Sequence, residues 1–193
     1  MEDLSDQSRS IQPPTGASSR LYGHFPYEVV DPAGLQRIAC YGSGDWQRWE
    51  WAQPEVVTAW QQMAASARRD RVWLIVVSGW RSWETQAWLF ERQTQKRGSP
   101  AQAARYSAPP GYSEHHTGYA LDLSEGSAPE DLSEAFAQSD AYRWLIRFGG
   151  DFGFELSYPE NNPQGVAWEP WHWRFVGSPT AQALFTPARS LTG

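Results

Sequence analysis

Cysteine and long apolar runs are scarce in this chain, and each shortage excludes a class of protein. The single cysteine, Cys40, excludes an internal disulfide framework. We expect Cys40 to be a buried small apolar residue rather than a reactive thiol. The longest strongly apolar run, VWLIVV at residues 72–77, is too short to span a bilayer. The sequence therefore shows no transmembrane segment and predicts a core that is held without disulfide bonds.

Positive charge is also limited, because Lys96 is the only lysine and the net charge is −6. Binding to a phosphate backbone requires clustered lysine and arginine. No basic run is present, so we do not expect nucleic acid as a partner. The N-terminal residues have neither a cationic start nor an apolar stretch, so no secretory signal is visible.

The length of 193 residues is typical of one domain with a short extension. Residues 1–20 are polar and rich in serine and proline, which is typical of a disordered leader or linker. We therefore predict one folded domain over residues 21–193, and we expect it to be a monomer. Twelve tryptophans are present; we expect most of them in the core and a minority in a groove for a sugar or peptide.

Local patterns predict long helices in the first half and short strands in the second. Asp31 and Pro32 favour a short helix that runs toward Cys40. The other predicted elements are an extended strap at 21–30, helices from 54, 83 and 140, strands at 72–79, 119–123, 152–156 and 171–176, and an ordered loop at 107–118. This order predicts an α+β fold with a small antiparallel sheet, rather than alternating βαβ units.

Three side chains in the second half form a candidate metal site. His115, Asp122 and His172 supply two histidines and one carboxylate, which is a common ligand set for catalytic zinc. Asp122 lies on an otherwise apolar strand, where an unpaired carboxylate costs several kcal/mol, so it needs an arginine or a metal ion. By spacing alone, a single buried histidine is more often a hydrogen-bonded core residue than a metal ligand.

Glu169 lies three residues before His172, but Pro170 argues against a helix at this point. The arrangement therefore differs from two metal-binding histidines on one helix. We expect ligands from separate strands and loops instead.

Three motifs carry a resemblance to a known family. The segment SEHHTGYALD resembles the S-x-H-x-x-G-x-A-x-D signature of the zinc D-Ala-D-Ala carboxypeptidase family that includes VanY. The segment EPWHWR resembles the E-x-W-H-x-R motif of that family, and SGWRSWETQ resembles its S-G-Y-R-S-x-x-x-Q segment, with Trp80 in place of tyrosine. The motifs occur in the family's order between Ser78 and Arg174. The family belongs to the lysostaphin, D-Ala-D-Ala peptidase and hedgehog fold group, which implies a small antiparallel sheet with flanking helices.

The resemblance implies a role for each matched residue. Its zinc ligands would be His115, Asp122 and His172, with one Zn²⁺ per chain and Glu169 as general base and acid. Arg81 would stabilise the oxyanion or bind a substrate carboxylate, and Gln86 and Ser113 would help to bind the peptide. The implied substrate is a peptidoglycan stem peptide, cut at its C-terminal amide bond with D,D or L,D specificity. The implied location is the periplasm or cell envelope, with the cytoplasm as the alternative because no signal is visible.

Simpler interpretations of the same residues stay open. Arg81 could cap a helix or pair with Glu84, Gln86 could lie on the surface, and Ser113 could only brace its loop. The chain could also be a peptidoglycan-binding zinc module without catalysis, or a metal-free domain that binds glycans through its tryptophans. His and carboxylate ligands also suit manganese, iron or cobalt.

Overall fold

The computed structural model describes residues 19–44, 46–126 and 132–191. The leader predicted for residues 1–20 lies almost entirely outside these ranges. The strands are β1 (Gln36–Ser43), β2 (Trp46–Ala52), β3 (Ile75–Ser78), β4 (Ala120–Ser124), β5 (Phe154–Leu156) and β6 (His172–Phe175). The α-helices are α1 (Pro54–Arg69), α2 (Trp83–Arg97), α3 (Pro100–Ala103), α4 (Asp140–Phe148) and α5 (Pro179–Arg189). Short 3₁₀ helices lie at Pro32–Gly34, Glu114–Thr117, Glu134–Gln138 and Gly149–Phe152.

A four-stranded sheet forms the centre of the domain. Its order is β3-β4-β6-β5, and every neighbouring pair is antiparallel. Apolar side chains of β4 and β6 enter a core that they share with the helices, for example Leu121, Trp173, Met63 of α1 and Phe185 of α5. The predicted α+β class, with a small antiparallel sheet and flanking helices, is therefore confirmed.

The register of this sheet places polar residues side by side. Asp122 of β4 pairs with His172 of β6 on one side and with Ser78 of β3 on the other. Because residues that pair directly in an antiparallel sheet have neighbouring side chains, this register brings β3, β4 and β6 to one polar site.

Helices α1 and α2 begin where the sequence predicts. Pro54 occupies the first turn of α1, whose apolar residues lie at helical spacing and face the core. Ser82 caps α2 by accepting a hydrogen bond from the Thr85 N–H at 3.2 Å, and Gly98 ends the helix in the left-handed region at φ 83°.

The region around Cys40 differs from the prediction. The helix that begins at Pro32 is only a 3₁₀ turn, and the chain continues into the β1–β2 hairpin, which the sequence patterns did not indicate. Cys40 lies on β1 and is exposed, so the prediction that it is buried is wrong. The hairpin forms a separate two-stranded sheet, in which Cys40 pairs with Trp49, a residue that is also exposed.

Two further differences concern the length of elements. The predicted strand at 72–79 is shorter, because only Ile75–Ser78 joins the sheet. The C-terminal helix α5 was not predicted; Ser178 caps it and Phe185 buries its apolar side. Within the part of the chain that the structure describes, every helix is too short or too polar to cross a bilayer.

Candidate active site

The three predicted metal ligands lie together at the polar end of the sheet. His115 Nε2 is 3.2 Å from Asp122 Oδ2, and His172 Nδ1 is 3.0 Å from Asp122 Oδ1. One donor atom from each residue lies within 4.8 Å of the other two, and all three side chains are buried. The cluster is close enough for all three donors to contact one ion.

A tight turn brings His115 back to the sheet. His115 belongs to the 3₁₀ helix Glu114–Thr117, which ends at Gly118 with a φ of 72°. Glycine adopts this left-handed conformation without steric cost. The Gly118 N–H donates to the His115 carbonyl at 3.2 Å, and the Gly118 carbonyl accepts from the Gln53 N–H at 3.0 Å. The turn is therefore fixed on both sides before the chain enters β4.

Each histidine is oriented by the ring nitrogen that points away from Asp122. His115 Nδ1 lies 2.6 Å from the Gly79 carbonyl oxygen, so this nitrogen carries the proton and Nε2 faces the cluster. His172 Nε2 lies 3.0 Å from Glu114 Oε2 and donates to it, so Nδ1 faces the cluster. Hydrogen bonds of this kind orient metal-binding histidines in known sites. The donor set and its orientation therefore fit a zinc ion.

Glu114 is a component of the site that the sequence analysis missed. Its side chain is fully buried and accepts hydrogen bonds from His172, from Arg174 Nη1 at 2.9 Å and from Ser157 Oγ at 2.6 Å. Arg174 also binds Glu155, so its two carboxylate partners are Glu114 and Glu155 rather than Asp122 or Glu169. The sequence signal that could have identified Glu114 is its position directly before the candidate ligand His115, in a predicted ordered loop.

Burial and neighbouring charges change the pKa values of this cluster. Burial lowers the pKa of His115 to about 4, and the Arg81 charge adds to this, so His115 is neutral. Burial also opposes the charged form of His172, but hydrogen bonds to Asp122 and Glu114 raise its pKa to about 10. The charges of Arg174 and His172 outweigh burial at Glu114 and lower its pKa to about 2. A metal ion must therefore displace a proton from His172, but none from His115.

Glu169 stands beside the ligand cluster rather than in it. Its Oε2 lies 3.9 Å from His172 Nδ1, and its side chain is 12% exposed. Burial raises the pKa of the Glu169 carboxyl to about 8, although the His172 charge opposes the shift. A divalent cation at the cluster would favour the ionised form of this carboxyl.

Arg81 and Gln86 form a connected pair at the edge of the cluster. Arg81 Nη2 donates to Asp122 Oδ2 at 3.2 Å and to Ser78 Oγ at 3.1 Å, and Arg81 Nη1 donates to Gln86 Oε1 at 2.9 Å. Arg81 therefore binds Asp122, Ser78 and Gln86, and not Glu84, which was the alternative partner. Gln86 is 1% exposed and also donates to the Ala108 carbonyl at 2.6 Å, so it is not a surface residue.

The other residues singled out by the sequence are also buried. Ser113 lines the cavity in front of the cluster. His116, which follows the candidate ligand His115, is fully buried: its Nδ1 donates to the Arg81 carbonyl at 2.7 Å, and its Nε2 accepts from the Gly111 N–H at 3.0 Å. His24, in the segment predicted as an extended strap, lines the same cavity, and its Nε2 lies 2.7 Å from the Ala104 carbonyl oxygen.

A cavity of about 420 Å³ opens in front of the cluster. Its walls include the three candidate ligands, Glu169, Arg81 and Gln86, and one side is formed by α2. This volume lies in the range of small-molecule sites. The polar cluster therefore has room for a peptide chain end beside it.

The comparisons with known proteins agree with this geometry. The family model described as VanY, D-alanyl-D-alanine carboxypeptidase, matches residues 50–178. The Bacillus subtilis (strain 168) protein YodJ is 33% identical over 132 residues, which cover 67% of this chain and 48% of YodJ. The chain thus spans about half the length of that curated relative.

Two solved structures of peptidases are also similar to this chain. The LdcB LD-carboxypeptidase superposes with a TM-score of 0.68 and 30% identity, covering 83% of this chain and 75% of LdcB. A variant of the vancomycin-resistance D,D-pentapeptidase VanY, in complex with Zn(II), superposes with a TM-score of 0.58 and 27% identity, covering 79% of this chain and 85% of VanY. From the family match and these likenesses, we conclude that the chain belongs to the VanY D-alanyl-D-alanine carboxypeptidase family.

Proposed function

We propose that this protein is a zinc carboxypeptidase that hydrolyses the C-terminal amide bond of peptidoglycan stem peptides. The observation that carries the proposal is the convergence of His115, Asp122 and His172 at a cavity that also contains Glu169. Three protein ligands with an open side are typical of catalytic zinc sites. The family match and the Zn(II) complex of VanY support the same chemistry.

His115 Nε2, an Asp122 carboxylate oxygen and His172 Nδ1 would hold one Zn²⁺ per chain. When bound, the ion would lower the pKa of a coordinated water toward about 7 and polarise a carbonyl oxygen. Hydrogen bonds from the protein keep both imidazoles in the orientation that ligation needs.

Glu169 is the residue that we assign as general base and acid. Its carboxylate borders the cluster and would take a proton from the attacking water and deliver it to the leaving amine. A purely structural or recognition site needs no such base, so the presence of Glu169 favours an enzyme over a zinc-binding module without catalysis.

Arg81 is the residue that we assign to charge stabilisation. Its guanidinium lies in the cavity wall beside Asp122 and would bind the substrate carboxylate or the developing oxyanion. Gln86 would act through Arg81 as a positioning residue, because its side-chain oxygen accepts from Arg81 Nη1. Ser113 would contact the peptide from the cavity wall.

The relatives named above include both an LD-carboxypeptidase and a D,D-pentapeptidase. The substrate in our proposal is therefore a stem peptide that ends in D-alanine, with D,D or L,D specificity decided by experiment. We therefore also propose that the protein acts in the periplasm or cell envelope, where such a substrate occurs.

The test is incubation of the zinc-loaded protein with synthetic stem pentapeptides and tetrapeptides, followed by mass spectrometry. We expect release of a single D-alanine from one of them, loss of that activity with a chelator, and recovery when zinc is restored. If no bond is cleaved in any stem peptide although one zinc is bound, the enzymatic proposal fails and a binding module is favoured.

The Glu169→Gln variant tests the assigned base. We expect it to retain zinc and to lose about 10²- to 10⁴-fold in kcat, which is the usual contribution of general acid–base catalysis. Glu160→Gln is the matched control, because Glu160 is exposed and outside the cavity lining. Undiminished turnover in Glu169→Gln would overturn the assignment of the base.

A further inference from the structure

The α2 wall of the cavity carries positive charge that the proposed chemistry does not use. Gln86, Leu89, Arg92, Gln93 and Lys96 all line the cavity and recur at spacings of three and four residues, so they share one side of α2. Gln86 marks the metal end, because it bonds to Arg81. Arg92 and Lys96 lie about two and three turns further along the helix.

The charge of this wall contrasts with the rest of the protein. The chain has a net charge of −6, and its single lysine is Lys96. Among the described residues that line the cavity, the carboxylates are Glu114, Asp122 and Glu169, and all three belong to the metal end. The described part of the chain gives Arg92 and Lys96 no ion-pair partner within 4.0 Å. The two cations therefore face the cavity without a neutralising carboxylate from those residues.

Contacts of Arg92 and Gln93 indicate that this wall could bind a ligand. The Arg92 guanidinium lies 4.6 Å from the centre of the Trp88 ring, a cation–π contact that restricts its conformations. Gln93 Oε1 is buried and has no hydrogen-bond partner among the described residues. A buried acceptor without a donor is unfavourable, so this oxygen is suited to accept an N–H group from a bound peptide.

Distance along the helix identifies which part of a peptide would meet the wall. Arg92 and Lys96 lie six and ten residues beyond Gln86, which corresponds to about 9 and 15 Å at the rise of an α-helix. An extended peptide covers about 10–14 Å in three to four residues. With its chain end at the metal, a peptide would place its third or fourth residue before the scissile bond beside these cations.

We propose that Arg92, Gln93 and Lys96 form a specificity subsite for a free carboxylate about three residues before the scissile bond of the stem peptide. The inference rests on the proposed carboxypeptidase function and adds its substrate class: acidic stem peptides, with a free rather than amidated γ-linked D-glutamate. Arg92 and Lys96 bind the carboxylate, and Gln93 Oε1 accepts a backbone N–H of the same peptide.

The experiment compares two synthetic stem pentapeptides that differ only at the α-carboxyl group of the γ-linked D-glutamate, which is free in one and amidated in the other. The zinc-loaded wild-type protein should show about tenfold higher kcat/KM for the free acid, mainly through a lower KM. The double variant Arg92→Gln with Lys96→Gln should lose this preference and leave turnover of the amidated peptide within about twofold. A tenfold preference is the size expected when two partly exposed ion pairs act together. The amidated peptide has no carboxylate for these cations to bind, so their removal should change its turnover little.

The matched control is the double variant Arg68→Gln with Arg147→Gln, which makes the same change in net charge at exposed arginines outside the cavity lining. It should retain the preference for the free acid. Binding of fluorescently labelled peptides is measured in parallel, so that the carboxylate preference is read even without cleavage. Equal affinity and equal kcat/KM for both peptides in the wild-type protein would overturn the subsite. Carboxylate-dependent binding without cleavage would instead overturn the proposed enzymatic function alone.

Discussion

His115 and His172 each face the cluster with one ring nitrogen because the other is already bonded to the protein. The two bonds are of different kinds: His115 donates to a neutral carbonyl, whereas His172 donates to the carboxylate of Glu114. A carboxylate makes the imidazole a stronger ligand than a carbonyl does. Glu114 is itself ionised and held by Arg174. We therefore expect the strength of metal binding to depend on Glu114 although it contacts no metal.

The Glu114→Gln variant tests this dependence. The amide keeps the shape of the side chain but removes the charge that pairs with Arg174 and His172. We expect zinc affinity to fall about 10- to 100-fold, and the free energy of unfolding of the metal-free protein to fall by about 2–4 kcal/mol. Zinc titration with a competing chelator and urea unfolding measure the two effects.

Glu114 binds both His172 and Arg174, and the Glu155→Gln variant separates these two contacts. Glu155 binds Arg174 but does not contact His172. Its side chain is 30% exposed, so the loss of stability should be below about 1 kcal/mol. Zinc affinity should stay within about twofold of the wild-type value. Equal losses of zinc affinity in the two variants would show that Glu114 acts only through Arg174.

At the scale of the elements, the turn that ends at Gly118 connects the first candidate ligand to the sheet. A Cβ added at Gly118 would lie 3.0 Å from Leu35 Cδ2 and 3.3 Å from Gln53 Cγ. Side chains at this φ of 72° also cost about 1–2 kcal/mol in any surroundings. A substitution here strains the backbone and the packing together, and it displaces His115.

Gly118→Ala should therefore destabilise the protein more than Gly98→Ala, its matched control. Gly98 has a similar φ of 83°, but an added Cβ would meet nothing within 4 Å. We expect about 1 kcal/mol for Gly98→Ala and about 2–3 kcal/mol for Gly118→Ala, measured by urea unfolding. Only Gly118→Ala should also weaken zinc binding. Equal destabilisation would mean that the contacts with Leu35 and Gln53 relax without cost.

The elements that could be predicted from sequence are those with strong local signals. Helix α2 has a serine cap and a glycine end, and β4 and β6 contain apolar residues around the motif positions. The β1–β2 hairpin could not be predicted because Asp31 and Pro32 favour the start of a helix. A helical turn does begin there, but it is a 3₁₀ turn that ends at Gly34, and the chain then becomes extended. The motifs named the candidate ligands, but the Glu114–Arg174 pair depends on how a loop packs on β6, which local patterns do not reveal.

For the whole molecule, the metal-free cluster makes stability depend on pH. The folded-state pKa is raised at His172, to about 10, and at Glu169, to about 8, so the folded protein binds more protons than the unfolded chain at neutral pH. The contribution of each group is fully present below its unfolded pKa and is lost as pH rises through its folded pKa. The metal-free protein should therefore lose stability between about pH 6.5 and 10 through His172, and between about pH 4.5 and 8 through Glu169.

Zinc should reverse this dependence, because ligation requires His172 Nδ1 without its proton and the ion favours ionised Glu169. We expect the unfolding free energy of the metal-free protein to fall by on the order of 3–4 kcal/mol from pH 6.5 to pH 9, whereas the stabilisation by a fixed excess of zinc grows over the same range. Urea unfolding at several pH values, with zinc and with a chelator, measures both trends. General charge repulsion in an acidic protein is removed by comparison with His172→Gln, whose metal-free stability should vary less with pH. A metal-free His172→Gln variant with the same pH dependence as the wild-type protein would show that the charge on His172 is not its source.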